Sequence, residues 1–105
     1  MILSIDTTKR EQVLVSLEDQ QSGLKSQIDK AVQFGSQALL PAIEELLVRH
    51  ELSLDNLSDV KVNCGPGSYT GTRVGVAVAN ALSWALGIKT VEQLDRPKYE
   101  ESKYD

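Results

Sequence analysis

The sequence predicts an α/β fold in which three strands are followed by a helix, a strand, a second helix and a last strand, in the order β-β-β-α-β-α-β. Two observations predict it. The first 29 residues contain three short apolar or alternating segments, which are typical of strands. The rest of the chain repeats apolar residues at helical spacing in two segments, separated by a short strand and a glycine-rich turn. With right-handed crossovers, this order gives a single domain with one five-stranded mixed sheet, crossed by both helices.

The three N-terminal strands differ in how strongly they alternate. Residues 2–5 form an apolar run that ends at a polar turn, as expected of a buried strand. Residues 12–18 place their odd-numbered apolar side chains on one side, and we expect them to pair with the first strand as a hairpin. Residues 22–29 alternate more weakly and carry Lys and Asp, which suits an exposed edge strand.

The first helix is predicted from Ser36, a plausible N-cap, with apolar residues recurring through residue 47. Pro41 lies about one turn inside this helix, where its missing N–H is expected to bend the first turn.

The second half of the domain continues with three further elements. Residues 59–63 form a fourth strand, and residues 70–86 form a second helix that ends with Gly87 at the C′ position. Residues 88–91 are predicted to form a fifth, parallel strand. From residue 92 the sequence becomes polar and charged without periodicity, so we expect a domain at 1–91 and a polar tail at 92–105.

Composition argues against several classes of function. The net charge is -4 and no basic segment is interleaved with aromatic residues, which argues against strong direct binding to nucleic acid. The N-terminal segment lacks the pattern of a signal peptide, and no apolar run approaches the ~20 residues that cross a bilayer. The single cysteine, Cys64, cannot form an internal disulfide. We therefore expect a cytoplasmic protein without membrane contact.

The glycine-rich turn at residues 65–71 has two interpretations. A strand–turn–helix of this kind presents backbone N–H groups that bind phosphate in some proteins. The glycine spacing, however, fits neither the dinucleotide-binding pattern nor the P-loop, and no lysine follows. The pattern favours a tight turn with Ser68 or Thr70 as the helix cap.

The helix after this turn has an unusually apolar outer face. At about 100° per residue, the two glycines at 71 and 75 fall with the apolar residues at 78, 79, 82 and 86 on the face expected to contact the sheet. The opposite face carries a tryptophan and small residues where a polar surface is expected, which predicts a protein–protein interface. The alternative is that Trp84 packs under the first helix. The outer face consists of Arg73, Ala77, Asn80 and Trp84, with Val76 and Ala81 at its flanks.

The other residues with side chains suited to catalysis or metal binding lack the neighbouring groups that either function requires. Asp6 follows the first strand and is expected to stabilise the turn. His50 has no other potential ligand at metal-binding spacing, so no metal site is predicted. Cys64 is expected to be structural, and Ser68 lacks both the nucleophile-elbow pattern and a base. We predict no catalytic residues.

Three blocks carry a family resemblance: I-L-S-I-D-T at residues 2–7, L-L-P-A-I-E-E-L-L at 39–47, and G-P-G-S-Y-T-G-T-R-V-G at 65–75. With these blocks in this order, residues 1–94 resemble the TsaB (YeaZ) family, the non-catalytic paralogue in the bacterial machinery that makes threonylcarbamoyladenosine (t6A) in tRNA. The resemblance implies an actin/hexokinase/Hsp70-like (ribonuclease-H-like) fold, which agrees with the order of elements above.

The resemblance also implies partners. TsaB-like proteins support a TsaD-type catalytic subunit in an assembly with a TsaE-type ATPase, and they are not thought to perform the transfer themselves. They also pair as homodimers through similar surfaces, so self-association is an alternative. The contact is expected through both helices, which adds four residues of the first helix to the predicted interface: Leu39, Ile43, Leu46 and Leu47.

A second alternative is a vestigial nucleotide-binding domain. Family members usually carry a second domain after the fifth strand, and in this fold a nucleotide is held between two domains. One domain alone cannot close such a cleft, so we predict no cofactor. The residues of this alternative site are Asp6, Thr7, Gly65, Gly67 and Ser68.

Overall fold

The computed structural model describes residues 1–31, 38–67, 69–89 and 95. Four strands and two helices occur in these ranges, together with one short 3₁₀ turn at Leu54–Asn56 that the sequence pattern did not predict. The strands are β1 (Ile2–Asp6), β2 (Gln12–Asp19), β3 (Leu24–Ala31) and β4 (Asp59–Val62), and the helices are α1 (Leu39–Arg49) and α2 (Tyr69–Ala85).

The strands form one mixed sheet in the order β3-β2-β1-β4. β1 pairs antiparallel with β2 and parallel with β4, so that Leu3 lies opposite Leu17 on one side and Val60 on the other. β3 lies at the edge, as predicted. The predicted fifth strand at 88–91 is not confirmed, because its residues 90 and 91 lie outside the described ranges and Ile88 and Lys89 form a turn.

Both helices cover the same face of this sheet. The odd-numbered apolar side chains of β1 and β2 point to that face and are at most 2% exposed. α1 packs on β2 and β3, and α2 packs on β4 and β1. Their apolar residues join one core cluster, in which each buried Val, Leu or Ile side chain contributes roughly 1.5–3 kcal/mol. The opposite face carries partly exposed residues such as Ser4, Leu14 and Ser16.

The expectation that Pro41 bends α1 is wrong. The helix begins at Leu39 with Ala38 as its N-cap residue, so Pro41 lies in the first turn. Backbone N–H groups of the first turn have no partner within a helix, and a proline there removes nothing. Ser36, the predicted N-cap, lies outside the described residues.

The end of α2 is as predicted. Gly87 has a φ of 70° and donates from its backbone N–H to Trp84 O (3.0 Å), while Ile88 N donates to Ser83 O (2.8 Å). This pair of bonds is the Schellman motif, which requires a residue in the left-handed region at C′.

Candidate functional site

The outer face of α2, which includes Trp84, is exposed to solvent. The Trp84 side chain is 62% exposed, so the alternative in which it packs under α1 is wrong. Arg73, Ala77 and Ala81 are also exposed. Val76, predicted at the flank of this face, is only 3% exposed and belongs to the buried side of the helix.

The interface residues predicted on α1 lie on its buried side. The four predicted interface residues Leu39, Ile43, Leu46 and Leu47 are at most 5% exposed, because they pack into the core beneath the helix. A partner cannot reach them in this fold, and we withdraw them from the interface.

The apolar residues that α1 does expose are Leu40 (58%) and Val48 (66%), which lie two turns apart on one side of the helix. Both helices lie on one face of the sheet, so their outward sides point in the same direction. These sides also carry the exposed charged residues Glu44, Glu45, Arg49 and Arg73. We refer to their apolar residues as the exposed apolar surface: Leu40, Val48, Ala77, Ala81 and Trp84.

Asn80 is not available to a partner in the predicted way. Its side-chain Nδ2 donates to the backbone carbonyl of Asp95 (2.8 Å), and its Oδ1 accepts from the backbone N–H of the same residue (2.9 Å). Lys89 Nζ lies 3.1 Å from Asp95 Oδ2. Asp95 is the one described residue of the predicted tail, and it is bound to α2 at this point.

The Asp6 carboxylate links the end of β1 to Asn63, the residue that follows β4. Its Oδ1 accepts from the backbone N–H (3.0 Å) and the hydroxyl (2.6 Å) of Thr8, and its Oδ2 accepts from Asn63 Nδ2 (3.2 Å). Partial burial raises the pKa of Asp6. The hydrogen bonds from Thr8 and Asn63, together with the charge of Lys9, outweigh burial and hold this pKa below its usual value.

The glycine-rich turn and α2 both pack closely against the C-terminal end of β1. Thr7 is 4% exposed and donates from Oγ1 to Gly71 O (2.6 Å). A Cβ at position 67 would lie 2.6 Å from Thr8 Cβ, and a Cβ at position 75 would overlap Thr7 Oγ1. Thr7 therefore joins the end of β1 to α2, and Gly67 lies close against Thr8. The structure does not describe Ser68.

The two remaining candidates are Cys64 and His50. Cys64 is half-buried, with Sγ 3.7 Å from Val62 O, and His50 ends α1, where its backbone N–H donates to Leu47 O. Within the described ranges no three His, Cys, Asp or Glu side chains are grouped as metal ligands require. None of the helices that the structure describes has the length and apolarity to span a membrane.

The fold and the site together define the class of domain: an α/β domain with a mixed sheet, a glycine-rich turn packed against the first strand, and two helices on one face.

A family model described as "TsaD: tRNA N6-adenosine threonylcarbamoyltransferase" matches residues 23–92. The tRNA threonylcarbamoyladenosine biosynthesis protein TsaB of Bacillus subtilis is 45% identical over 49 residues, and that of Haemophilus influenzae is 31% identical over 70 residues. YeaZ from Pseudomonas aeruginosa superposes with a TM-score of 0.76 at 28% identity. The chain belongs to the TsaB/YeaZ family.

The matches cover only part of the relatives. The aligned regions are 47% of this chain and 21% of the B. subtilis protein, and 66% of this chain and 30% of the H. influenzae protein. The superposition covers 82% of this chain and 39% of the P. aeruginosa YeaZ chain. This chain therefore corresponds to less than half of the length of these relatives.

Proposed function

We propose that this chain binds and supports a TsaD-type catalytic subunit in the formation of t6A in tRNA, within an assembly that includes a TsaE-type ATPase. In this proposal the chain is a non-catalytic partner. The names of its relatives place them in t6A biosynthesis. The single observation that carries the docking role is the exposed apolar surface on the outward sides of α1 and α2.

The size of this surface suits the centre of a protein–protein interface. Burying the exposed part of Trp84 removes about 150 Å² from water, which is worth about 4 kcal/mol at ~25 cal/mol per Å² before entropic costs. Leu40 and Val48 each add roughly 2 kcal/mol by the same reasoning. Tryptophan is among the residues most enriched in interface hot spots.

A docking role is also supported by the state of the residues with chemical potential. Both carboxylate oxygens of Asp6 accept hydrogen bonds from within the chain. The Thr7 hydroxyl is buried and bonded to Gly71. These groups thus have partners within the chain, and a protein partner can cover the exposed apolar surface without disturbing any of them.

The test is the affinity for a TsaD-type subunit, measured by titration calorimetry. We expect Trp84→Glu and Ala77→Glu each to weaken binding by about 30-fold or more, because a buried charge would replace a hot-spot contact of ~2 kcal/mol. Gln27→Glu is the matched control, since it places the same side chain on the sheet face away from the helices. It should bind as the unmodified chain does.

Unchanged affinity of Trp84→Glu, with a folded protein by circular dichroism, would remove the proposal. Light scattering of the chain alone and after mixing distinguishes the competing use of this surface. If the chain forms a dimer that Trp84→Glu dissociates and that the catalytic subunit does not displace, the surface serves self-association instead.

A further inference from the structure

Glu44 is the charged residue that interrupts the exposed apolar surface on α1. We propose that Glu44 determines which partner this surface accepts, by pairing with a Lys or Arg side chain of that partner. The inference rests on the proposed function, and it adds the chemistry that the partner must present opposite α1.

Glu44 lies between the two exposed apolar residues of α1. Leu40, Glu44 and Val48 follow one another at intervals of four residues, so their side chains lie along one side of the helix. Leu40 and Val48 are 58% and 66% exposed, and Glu44 is exposed as well. A protein that covers both apolar residues must therefore also cover the carboxylate between them.

The Glu44 carboxylate has no ion-pair partner among the residues that the structure describes. The next residue, Glu45, differs in this respect, since its carboxylate lies 2.7 Å from Lys30 Nζ on β3 and 3.9 Å from Arg49 Nη2. Consecutive residues of a helix point about 100° apart, so Glu44 is turned away from the edge strand that supplies Lys30. The charge of Glu45 is thus neutralised within the chain, whereas that of Glu44 is available to a partner.

A carboxylate at this place selects between partners by charge. Covering Glu44 removes water from an ionised group, which is unfavourable unless the partner replaces that water. A Lys or Arg that reaches Glu44 does so with charged donors, and an apolar or acidic side chain does not. In a two-fold pair of this chain centred between Leu40 and Val48, each Glu44 would face the other, so the same charge disfavours that self-association.

Titration calorimetry with a TsaD-type subunit tests the role of Glu44. At low salt we expect Glu44→Gln to weaken binding about threefold to tenfold and Glu44→Lys at least about 30-fold, because the first loses an attraction and the second adds a repulsion. At high salt Glu44→Gln and the unmodified chain should bind more nearly alike, because salt screens a charge pair. Glu45→Gln is the matched control, since it removes the same charge one residue away, and it should bind as the unmodified chain does.

Trp84→Glu separates this inference from the docking role itself. If Trp84→Glu weakens binding while Glu44→Gln and Glu44→Lys, folded by circular dichroism, bind as the unmodified chain does, the docking role stands and the role of Glu44 is overturned. Equal losses for Glu44→Gln and Glu45→Gln also overturn it, since the effect would then be one of overall charge. If the unmodified chain does not bind the catalytic subunit, or forms a dimer that this subunit does not displace, both proposals are overturned.

Discussion

Gly75 is the position where a single added methyl group should most sharply test the packing of α2 on β1. A Cβ at this position would overlap Thr7 Oγ1 and lie 3.5 Å from Thr7 Cβ and 3.6 Å from Ile5 Cγ2. The overlap falls on a short, buried side chain that is hydrogen-bonded to Gly71, so it cannot swing aside without losing that bond. We therefore expect Gly75→Ala to destabilise the domain.

The magnitude follows from three contributions. Overpacking of a filled core costs about 1–3 kcal/mol, and the loss of the Thr7–Gly71 hydrogen bond costs about 1 kcal/mol more. Replacing glycine by alanine inside a helix gains about 1 kcal/mol. The net expectation is a loss of about 1–3 kcal/mol in the free energy of unfolding, measured by urea denaturation followed by circular dichroism.

A double-mutant cycle with Thr7→Ala distinguishes this explanation from general damage. Thr7→Ala removes the hydroxyl that meets the new methyl group, so in this background Gly75→Ala should cost less than about 0.5 kcal/mol or become stabilising through helix propensity. If Gly75→Ala is equally costly with and without the Thr7 hydroxyl, or stabilises the unmodified chain, the close approach of α2 to β1 through Gly75 is refuted.

Two further predictions concern Asp6 and the two sides of α1. The hydrogen bonds and the charge near Asp6 lower its folded-state pKa, so its contribution to stability is present above its usual pKa and is lost as pH falls through the lowered value. Asp6→Asn should therefore reduce stability at neutral pH, with a difference from the unmodified chain that shrinks as pH falls through the lowered pKa. A difference in urea midpoint that stays constant with pH contradicts this. On α1, Leu46→Ala should cost about 2–5 kcal/mol of stability, while Val48→Glu should change stability by less than about 0.5 kcal/mol and weaken partner binding at least about tenfold in calorimetry. Equal stability losses for both variants would contradict the assignment of buried and exposed sides.

Local patterns were sufficient for most of the fold. The alternation in β2 predicts a strand, because successive side chains of a strand point to opposite faces. The glycine at the end of α2 predicts the end of the helix, because the C′ residue there adopts the left-handed conformation. The edge position of β3 was likewise predictable from its polar composition. The effect of Pro41 could not be predicted in this way, because it depends on where α1 begins. Apolar spacing alone defines the start of a helix poorly.

The site was harder to predict because its contacts are distant in the sequence or depend on which of two apolar sides is covered. Nothing near Asn80 indicates that its amide binds residue 95, fifteen positions later. The family resemblance implied contact through both helices but did not specify a side of α1. The apolar residues that recur at helical spacing in α1 were predicted to form the interface, but these are the residues that pack against the sheet.

Leu47 and Val48 show why hydrophobicity alone could not separate the core from the proposed interface. They are adjacent and similarly apolar, yet one is 5% exposed and the other 66%, because consecutive residues of a helix point about 100° apart. Leu47 stabilises the domain by packing with the rest of the core, whereas Val48 contributes little to the folding of this chain. Val48 is therefore available to a second protein without cost to the fold, as the proposed docking role requires. Each helix therefore has a buried apolar side that determines the fold, and a mixed outward side whose exposed apolar residues support the proposed docking role.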